Sequence, residues 1–202
     1  MDRLILASRS PRRREILEKL GIPFIVCIID LDEASHYRGS VRSSVMNLSR
    51  KKVEEASALF SRGLIVGVDT VVYFNGKVLG KPANDEQAFS SMRMLSGNRH
   101  QVFSGITVRD TDSGISRTSC SVSTVEFVHM DDGEIMQYVR SGEWADKAGG
   151  YAIQGRAALY IKRIEGSYYN IVGLPVEELY RLLKGFTYFE SSGAYEPRRR
   201  RG

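Results

Sequence analysis

A chain of 202 residues, 42% hydrophobic and 26% charged, fits one large domain or two tightly joined halves and excludes an intrinsically disordered protein. Its apolar runs are too short to span a bilayer, and the brief one ahead of Arg9 reads as a buried first strand rather than a signal peptide, so a cytoplasmic setting is expected. The net charge of +5 owes four positives to Arg198, Arg199, Arg200 and Arg201; the body is nearly balanced, the tail reads as a solvated, disordered end, and no nucleic-acid partner is expected.

Along the chain, Leu4 to Ala7 reads as a short apolar strand, and Pro11 opens a helix through Leu20 that Gly21 stops. Phe24 to Ile29 is a second strand. From Val41 to Phe60 the apolar Val45, Leu48, Val53 and Ala56 recur near helical spacing, with Lys52 on or beside the buried edge. Leu64 to Val68 is a buried strand, and the strands Val71 to Phe74 and Lys77 to Leu79 flank Asn75-Gly76, a two-residue hairpin turn. Helix resumes from Asp85 to Leu95 and stops at Gly97. Alternation through Val102, Ser104, Ile106 and Val108, and again through Val122, Thr124, Glu126 and Val128, predicts long antiparallel strands joined over Asp110 to Gly114. Asp131 to Tyr138 is helical, Leu159 to Ile164 a strand, and Pro175 to Leu183 an amphipathic helix opened by its proline. The expected fold is α/β, a mixed twisted sheet in two lobes around a cleft.

Cys27 and Cys120 lack paired metal-ligand spacing and read as buried thiols, while His36, His100 and His129 are scattered and suggest neither a zinc site nor a catalytic triad. A catalytic base is therefore sought among the carboxylates. Four segments carry candidate chemistry. Ala7-Ser8-Arg9-Ser10-Pro11-Arg12-Arg13 joins a strand to a helix start, where backbone N–H groups, hydroxyls and guanidinium forks suit a polyphosphate; the plainer alternative is that Ser10 caps a helix whose arginines face water. In Gly67-Val68-Asp69-Thr70 an acid interrupts an apolar run at the end of a strand, so Asp69 faces a cleft, a metal or a basic group, or else caps a turn. Such a carboxylate in a cleft could deprotonate water or ligate Mg²⁺ bound to phosphates. Lys81, fixed between Gly80 and Pro82, suits a phosphate counter-charge, although an exposed loop lysine is the commoner outcome, and Lys52 carries the same ambiguity. In Asp146 to Arg156 the glycines permit close backbone approach to a ligand, and the Gln154 amide offers a paired donor and acceptor to a base edge.

Taken in order, these segments resemble the Maf nucleotide pyrophosphatases: Leu4 to Arg13, Leu48 to Val53, Gly67-Val68-Asp69-Thr70, Gly80-Lys81-Pro82, Leu95-Ser96-Gly97, His100-Gln101-Val102, Asp146 to Gly149, Tyr151 to Gly155, and Gly173-Leu174-Pro175. The resemblance covers a single catalytic domain over residues 1–186 and leaves 187–202 as a tail. It implies a Maf/ITPase-like cleft between two α/β lobes, a divalent cation, Mg²⁺ or Mn²⁺, and hydrolysis of a nucleoside triphosphate to monophosphate and pyrophosphate. By the same resemblance Asp69 is the proton acceptor, Lys52 and Lys81 face the phosphates, Arg12 matches the family arginine, and Ser8 with Arg13 shares the phosphate-binding turn. Glu33, one of three acids in Ile29-Asp30-Leu31-Asp32-Glu33, is implied as a metal-side carboxylate with Asp69. Thr70 and Ile153-Gln154-Gly155 match the branch acting on dTTP and UTP; a glutamine amide complements N3–H and O4 of uracil or thymine. A homodimer is compatible with such a fold. The rivals are a non-catalytic nucleotide- or nucleic-acid-binding regulator of cell division and a pyrophosphatase for modified nucleotides.

Overall fold

The computed structural model describes residues 4–31 and 39–191. In chain order the elements are β1 (Leu4–Ala7), α1 (Pro11–Lys19), β2 (Phe24–Cys27), α2 (Val41–Ser57), β3 (Leu64–Phe74), β4 (Lys77–Leu79), α3 (Asp85–Leu95), β5 (Arg99–Asp110), β6 (Ser116–Phe127), α4 (Asp132–Arg140), β7 (Ile161–Glu165), α5 (Tyr168–Val172), α6 (Val176–Lys184) and α7 (Tyr188–Ser191). Short 3₁₀ turns occupy Ala148–Gly150 and Arg156–Tyr160. Helix starts follow local chemistry. The Ser40 hydroxyl accepts from Ser43 N–H ahead of α2 and the Asn84 side chain accepts from Gln87 N–H ahead of α3, while Asp131 and Glu134 close a capping box on α4.

The strands form one mixed sheet in the order β2-β1-β3-β5-β6-β7, with β4 paired to β3. β1 runs parallel to both neighbours and the remaining pairs are antiparallel. Side chains alternate between two faces, and each face is packed differently. On one, α2 lies so close that Gly67 and Gly105 leave no room for a side chain: a Cβ on Gly67 would stand 2.5 Å from the Ser49 carbonyl, and one on Gly105 would run into the Val45 carbonyl. Ile5, Ala7, Ile65, Val53 and Ala56 are buried there.

The opposite face carries two clusters instead of one. Leu4, Leu6, Val66, Val68, Ile106 and Val108 pack under Ile16 and Leu17 of α1 and Leu179, Leu182 and Leu183 of α6. Farther along the same strands, Val72, Val102, Val125 and Phe127 pack under Ala88, Met92 and Leu95 of α3 and Ile135 and Val139 of α4. Thr70 and Ser104, cross-strand partners joined through their hydroxyls at 2.8 Å, separate the two. A single sheet thus carries two lobes, and a polar band marks the line between them.

Several expectations need correction. The run around Asp69 is not two strands with the acid at an end: β3 is continuous from Leu64 to Phe74, held by β5 along nearly all its length. Helix α2 stops at Ser57 rather than Phe60, and β2 at Cys27 rather than Ile29. Leu159 lies in a 3₁₀ turn ahead of β7, and Pro175 stands just before α6 rather than within it. Cys27 is buried as expected, but Cys120, on β6, is only partly so. Helices α5 and α7 have no counterpart among the expected elements.

Gly105→Ala should destabilise the protein by about 3 kcal/mol, because the obstacle is α2 backbone that cannot rotate aside. Urea unfolding monitored by circular dichroism reads the loss; an unchanged midpoint would mean that α2 is not seated on β5 as described.

Candidate active site

Strand β1 ends where Ala7 pairs with Gly67, and β4 begins its pairing with β3 at Val72. Across the intervening residues β3 keeps β5 on one side but has no strand neighbour among the described residues on the other. The cleft opens at this interruption, beyond the carboxyl end of β1, where ligands of open α/β sheets characteristically bind. Because consecutive side chains alternate, Asp69 points to the α2 face and Thr70 to the two-lobed face, so both flank the opening. The Lys52 ammonium donates to the Val68 carbonyl at 3.1 Å, and because Phe74 closes the hairpin with Lys77, every second residue before it, Val68 included, turns its backbone groups away from β5 toward the open edge. Backbone groups two residues apart in a strand face the same way, so Thr70 presents its N–H and C=O to the same opening.

At the floor, Lys52 of α2 meets Asp69 at 2.9 Å, with side-chain exposures of 7% and 2%. A charge this deep persists only when paired and hydrogen-bonded, and the pair fixes both residues in place. Beside it lies a second tight group. Arg13, buried at the start of α1, donates from Nε to the Gly173 carbonyl at 2.8 Å, from one terminal nitrogen to Ser8 Oγ at 2.9 Å, and from the other to Thr70 Oγ1 at 3.2 Å. Ser8 Oγ also accepts from Ser10 N–H at 3.2 Å, which fixes the turn into the helix. The Ser10 side chain makes no capping bond, so the plain capping role does not apply.

The rim is cationic. Arg12 donates to the carbonyls of Val172 and Asp146 at 3.3 and 3.5 Å, and burial lowers its pKa against the opposing pull of Asp146 and Glu15. Lys81 follows β4 and is exposed, as is Gln154 in the opposite loop. The segment from Ala145 to Gln154 closes that side, with Asp146 in the left-handed region at φ 57°. All eight described candidates, Ser8, Arg12, Arg13, Lys52, Asp69, Thr70, Lys81 and Gln154, line one cavity of about 570 Å³. Glu33 lies outside the described residues. Sequence reasoning gave no site role to the Val172 and Gly173 carbonyls that hold the arginines, and a backbone acceptor leaves no trace in residue type. It also passed over Val72, Val102 and Tyr151, which supply the cavity's apolar wall. Tyr151 stands in the glycine-rich segment, and its partner is distant in sequence.

That partner is His100. Its Nε2 lies 2.8 Å from the Tyr151 hydroxyl, and its ring stands edge-on to both Tyr151 and Phe127. Nδ1 is buried with no hydrogen-bond partner among the described residues. The two rings share this one hydrogen bond, whose direction is set by the imidazole tautomer. Burial depresses the imidazole pKa to about 4 and pushes the Tyr151 phenol well above its usual value, so both are neutral near pH 7.

The mixed α/β sheet thus sets an acid at the base of a cleft whose charged lining is largely cationic. Residues 3–186 match the family described as Maf-like protein, and the chain belongs to that family. It is 44% identical over 186 residues to a Clostridium perfringens (strain SM101 / Type A) protein named dTTP/UTP pyrophosphatase, a match spanning 91% of this chain and 97% of that one. A Clostridium tetani (strain Massachusetts / E88) protein of the same name is 44% identical over 183 residues, 89% of this chain and 95% of the other. The fold is similar to that of the Staphylococcus aureus Ham1 protein, with a TM-score of 0.52 at 14% identity over 92% of this chain and 100% of that one.

His100 also makes stability depend on pH. Its folded pKa lies below the unfolded value, so the unfolded chain binds the extra proton first and stability falls as pH drops from about 6.5 to about 4. The loss should approach about 3 kcal/mol at the lower end. Urea midpoints measured at pH 7 and pH 4.5 should converge in His100→Phe compared with wild type; equal acid sensitivity in the two proteins would rule out this source.

Proposed function

We propose that the chain is a nucleoside-triphosphate pyrophosphatase acting on dTTP and UTP, and that the cleft around Asp69 is its active site. The observation carrying this reading is the convergence of Asp69, Lys52, Arg12 and Lys81 on one cavity. The names of the relatives support the substrate. The catalytic unit is the domain over residues 1–186, and the setting is cytoplasmic, where nucleoside triphosphates are abundant.

Asp69 orients water and accepts its proton. The water oxygen bonds to the α-phosphorus, the bond from that phosphorus to the bridging oxygen breaks, and the electron pair leaves with pyrophosphate. Lys52 holds the Asp69 carboxylate through its ion pair, while Arg12 and Lys81 stabilise the charge that grows on the leaving group. Arg13 and Ser8 shape the turn that receives the phosphates, and the Thr70 N–H, on the open edge of β3, is a donor placed for a phosphate oxygen. Gln154 reads the pyrimidine edge.

Among the described residues no cluster of His, Cys, Asp or Glu is arranged to cage a metal ion. Asp69 at the floor and Asp146 at the rim are sparse donors, which fits Mg²⁺ or Mn²⁺ held by one or two carboxylates together with substrate phosphates. The bound cation would neutralise phosphate charge and polarise the α-phosphoryl oxygens. Asp69 would hold it, and Glu33 remains the further candidate carried from sequence.

A panel of dTTP, UTP, CTP, ATP and GTP with Mg²⁺ or Mn²⁺, read by pyrophosphate release, should rank dTTP and UTP first. Asp69→Asn should lower turnover roughly a thousandfold while preserving the circular dichroism spectrum, and wild-type release by that variant would remove Asp69 from the role. If no nucleotide is cleaved and an oligonucleotide binds with steep salt dependence, the chain is a regulator instead.

Gln154→Ala tests the base contact separately. It should narrow the preference for UTP over CTP by roughly tenfold without abolishing phosphate chemistry. An unchanged ranking would exclude Gln154 from base selection.

A further inference from the structure

The basic side chains of the cleft fall into two groups. Lys52 and Arg13 are buried and tied into the framework, and Arg9 at the edge is paired with Asp30 at 3.0 Å. Arg12 and Lys81 form no ion pair with a described carboxylate. A third cation of this second kind lines the same cavity: Lys147. Its ammonium donates to the Ala145 carbonyl at 2.9 Å, a neutral partner in its own loop.

That loop joins the other two cations. Arg12 donates to the Asp146 carbonyl, and Gly149 N–H donates to the Gly80 carbonyl at 2.9 Å, next to Lys81. Lys147 N–H donates to the Trp144 carbonyl at 3.2 Å. The left-handed Asp146 and Gly149 fix the loop's path, and Gly149 packs where a Cβ would meet Val72 at 2.9 Å. Lys147 is thus delivered to the wall that carries Arg12 and Lys81, opposite the Asp69 floor.

We infer that Lys147 is a further catalytic residue, completing with Arg12 and Lys81 a three-cation clamp that binds the departing pyrophosphate. The inference rests on the pyrophosphatase reading given above. Three like charges on one wall repel each other until an anion carrying several charges lies among them. Burial and the neighbouring Arg12 both lower the Lys147 pKa, with Asp146 and Glu143 opposing. A nucleoside monophosphate satisfies this arrangement poorly and pyrophosphate satisfies it well, because negative charge gathers on the leaving group as its bond to the α-phosphorus breaks.

Lys147→Met keeps most of the apolar stem and removes the charge; Lys147→Arg keeps the charge. With dTTP and Mg²⁺, Lys147→Met should lose roughly tenfold to a hundredfold in kcat/KM, with an unchanged melting temperature, and Lys147→Arg should recover most of it. Inhibition by inorganic pyrophosphate should weaken roughly tenfold in Lys147→Met, while inhibition by dTMP stays as in wild type. Wild-type kcat/KM and pyrophosphate inhibition in Lys147→Met would overturn the inference, and so would equal weakening by both products, the mark of a merely structural lysine. If wild type does not cleave dTTP, the pyrophosphatase reading fails by itself. Calorimetric titration of wild type and Lys147→Met with pyrophosphate and Mg²⁺ then decides whether Lys147 binds the anion: about tenfold weaker binding by the variant supports it, and equal binding overturns it.

Discussion

Among the described residues, the β3 backbone between Gly67 and Val72 has a strand neighbour on one side only, and the cleft follows from that interruption. β1 is four residues long and β3 eleven, so the parallel neighbour runs out while the antiparallel partner β5 continues. A short neighbour and a long one leave an edge on which the backbone groups of Val68 and Thr70 are turned toward the opening. An unpaired edge in a buried position is costly unless something satisfies it. Here Lys52 takes the Val68 carbonyl, and the neighbouring stretch of edge faces the cavity. Because the opening lies at the strand itself, side chains from both faces of the sheet can enter it, and an acid on one face and a hydroxyl on the other can address a single ligand.

The Lys52–Asp69 pair is the clearest case of local structure chosen for position. Lys52 belongs to α2, whose backbone presses on Gly67 and Gly105, and only that close approach lets a lysine from the helix reach a carboxylate on the strand beneath it. A pair so well shielded contributes little net stability compared with an apolar contact of the same volume. What it supplies is a carboxylate whose orientation is set before any ligand arrives. The two glycines and the ion pair are therefore parts of one arrangement: a larger side chain at either glycine would lift the helix and withdraw the lysine.

Much of this could be read from the chain, and the exceptions share a cause. Helical periodicity placed Lys52 at a buried edge, the Asn75-Gly76 turn placed β4, and strand alternation placed β5 and β6, because each of those signals is local. The acid in the apolar run reads as a strand end because a carboxylate inside a strand normally requires a partner that sequence does not display. Here that partner comes from α2, and the pairing that keeps β3 continuous comes from β5. Arg12, Lys81 and Asp146 are brought together by hydrogen bonds to main-chain carbonyls, which no residue pattern announces. Helix α5 is five residues capped by Ser167, too short to develop a periodicity of its own.

The polar band between the two lobes has a further mechanical consequence. Arg13 links Ser8, Thr70 and the Gly173 carbonyl; Thr70 continues to Ser104; and in the neighbouring row Asn170 donates to Ser123 Oγ and to the Val102 carbonyl, both at 3.0 Å. These groups lie where an uninterrupted apolar layer would have fused the lobes more simply. Buried polar networks are costly unless their members are largely satisfied, and in return they hold their members in one geometry. Stabilising charge as it develops demands donors already aimed, since reorientation during the reaction would consume the advantage. The band therefore resolves a conflict between packing and electrostatics: it gives up apolar contact at the centre of the face, and it locates that loss beneath the cleft, where rigid polar groups are needed.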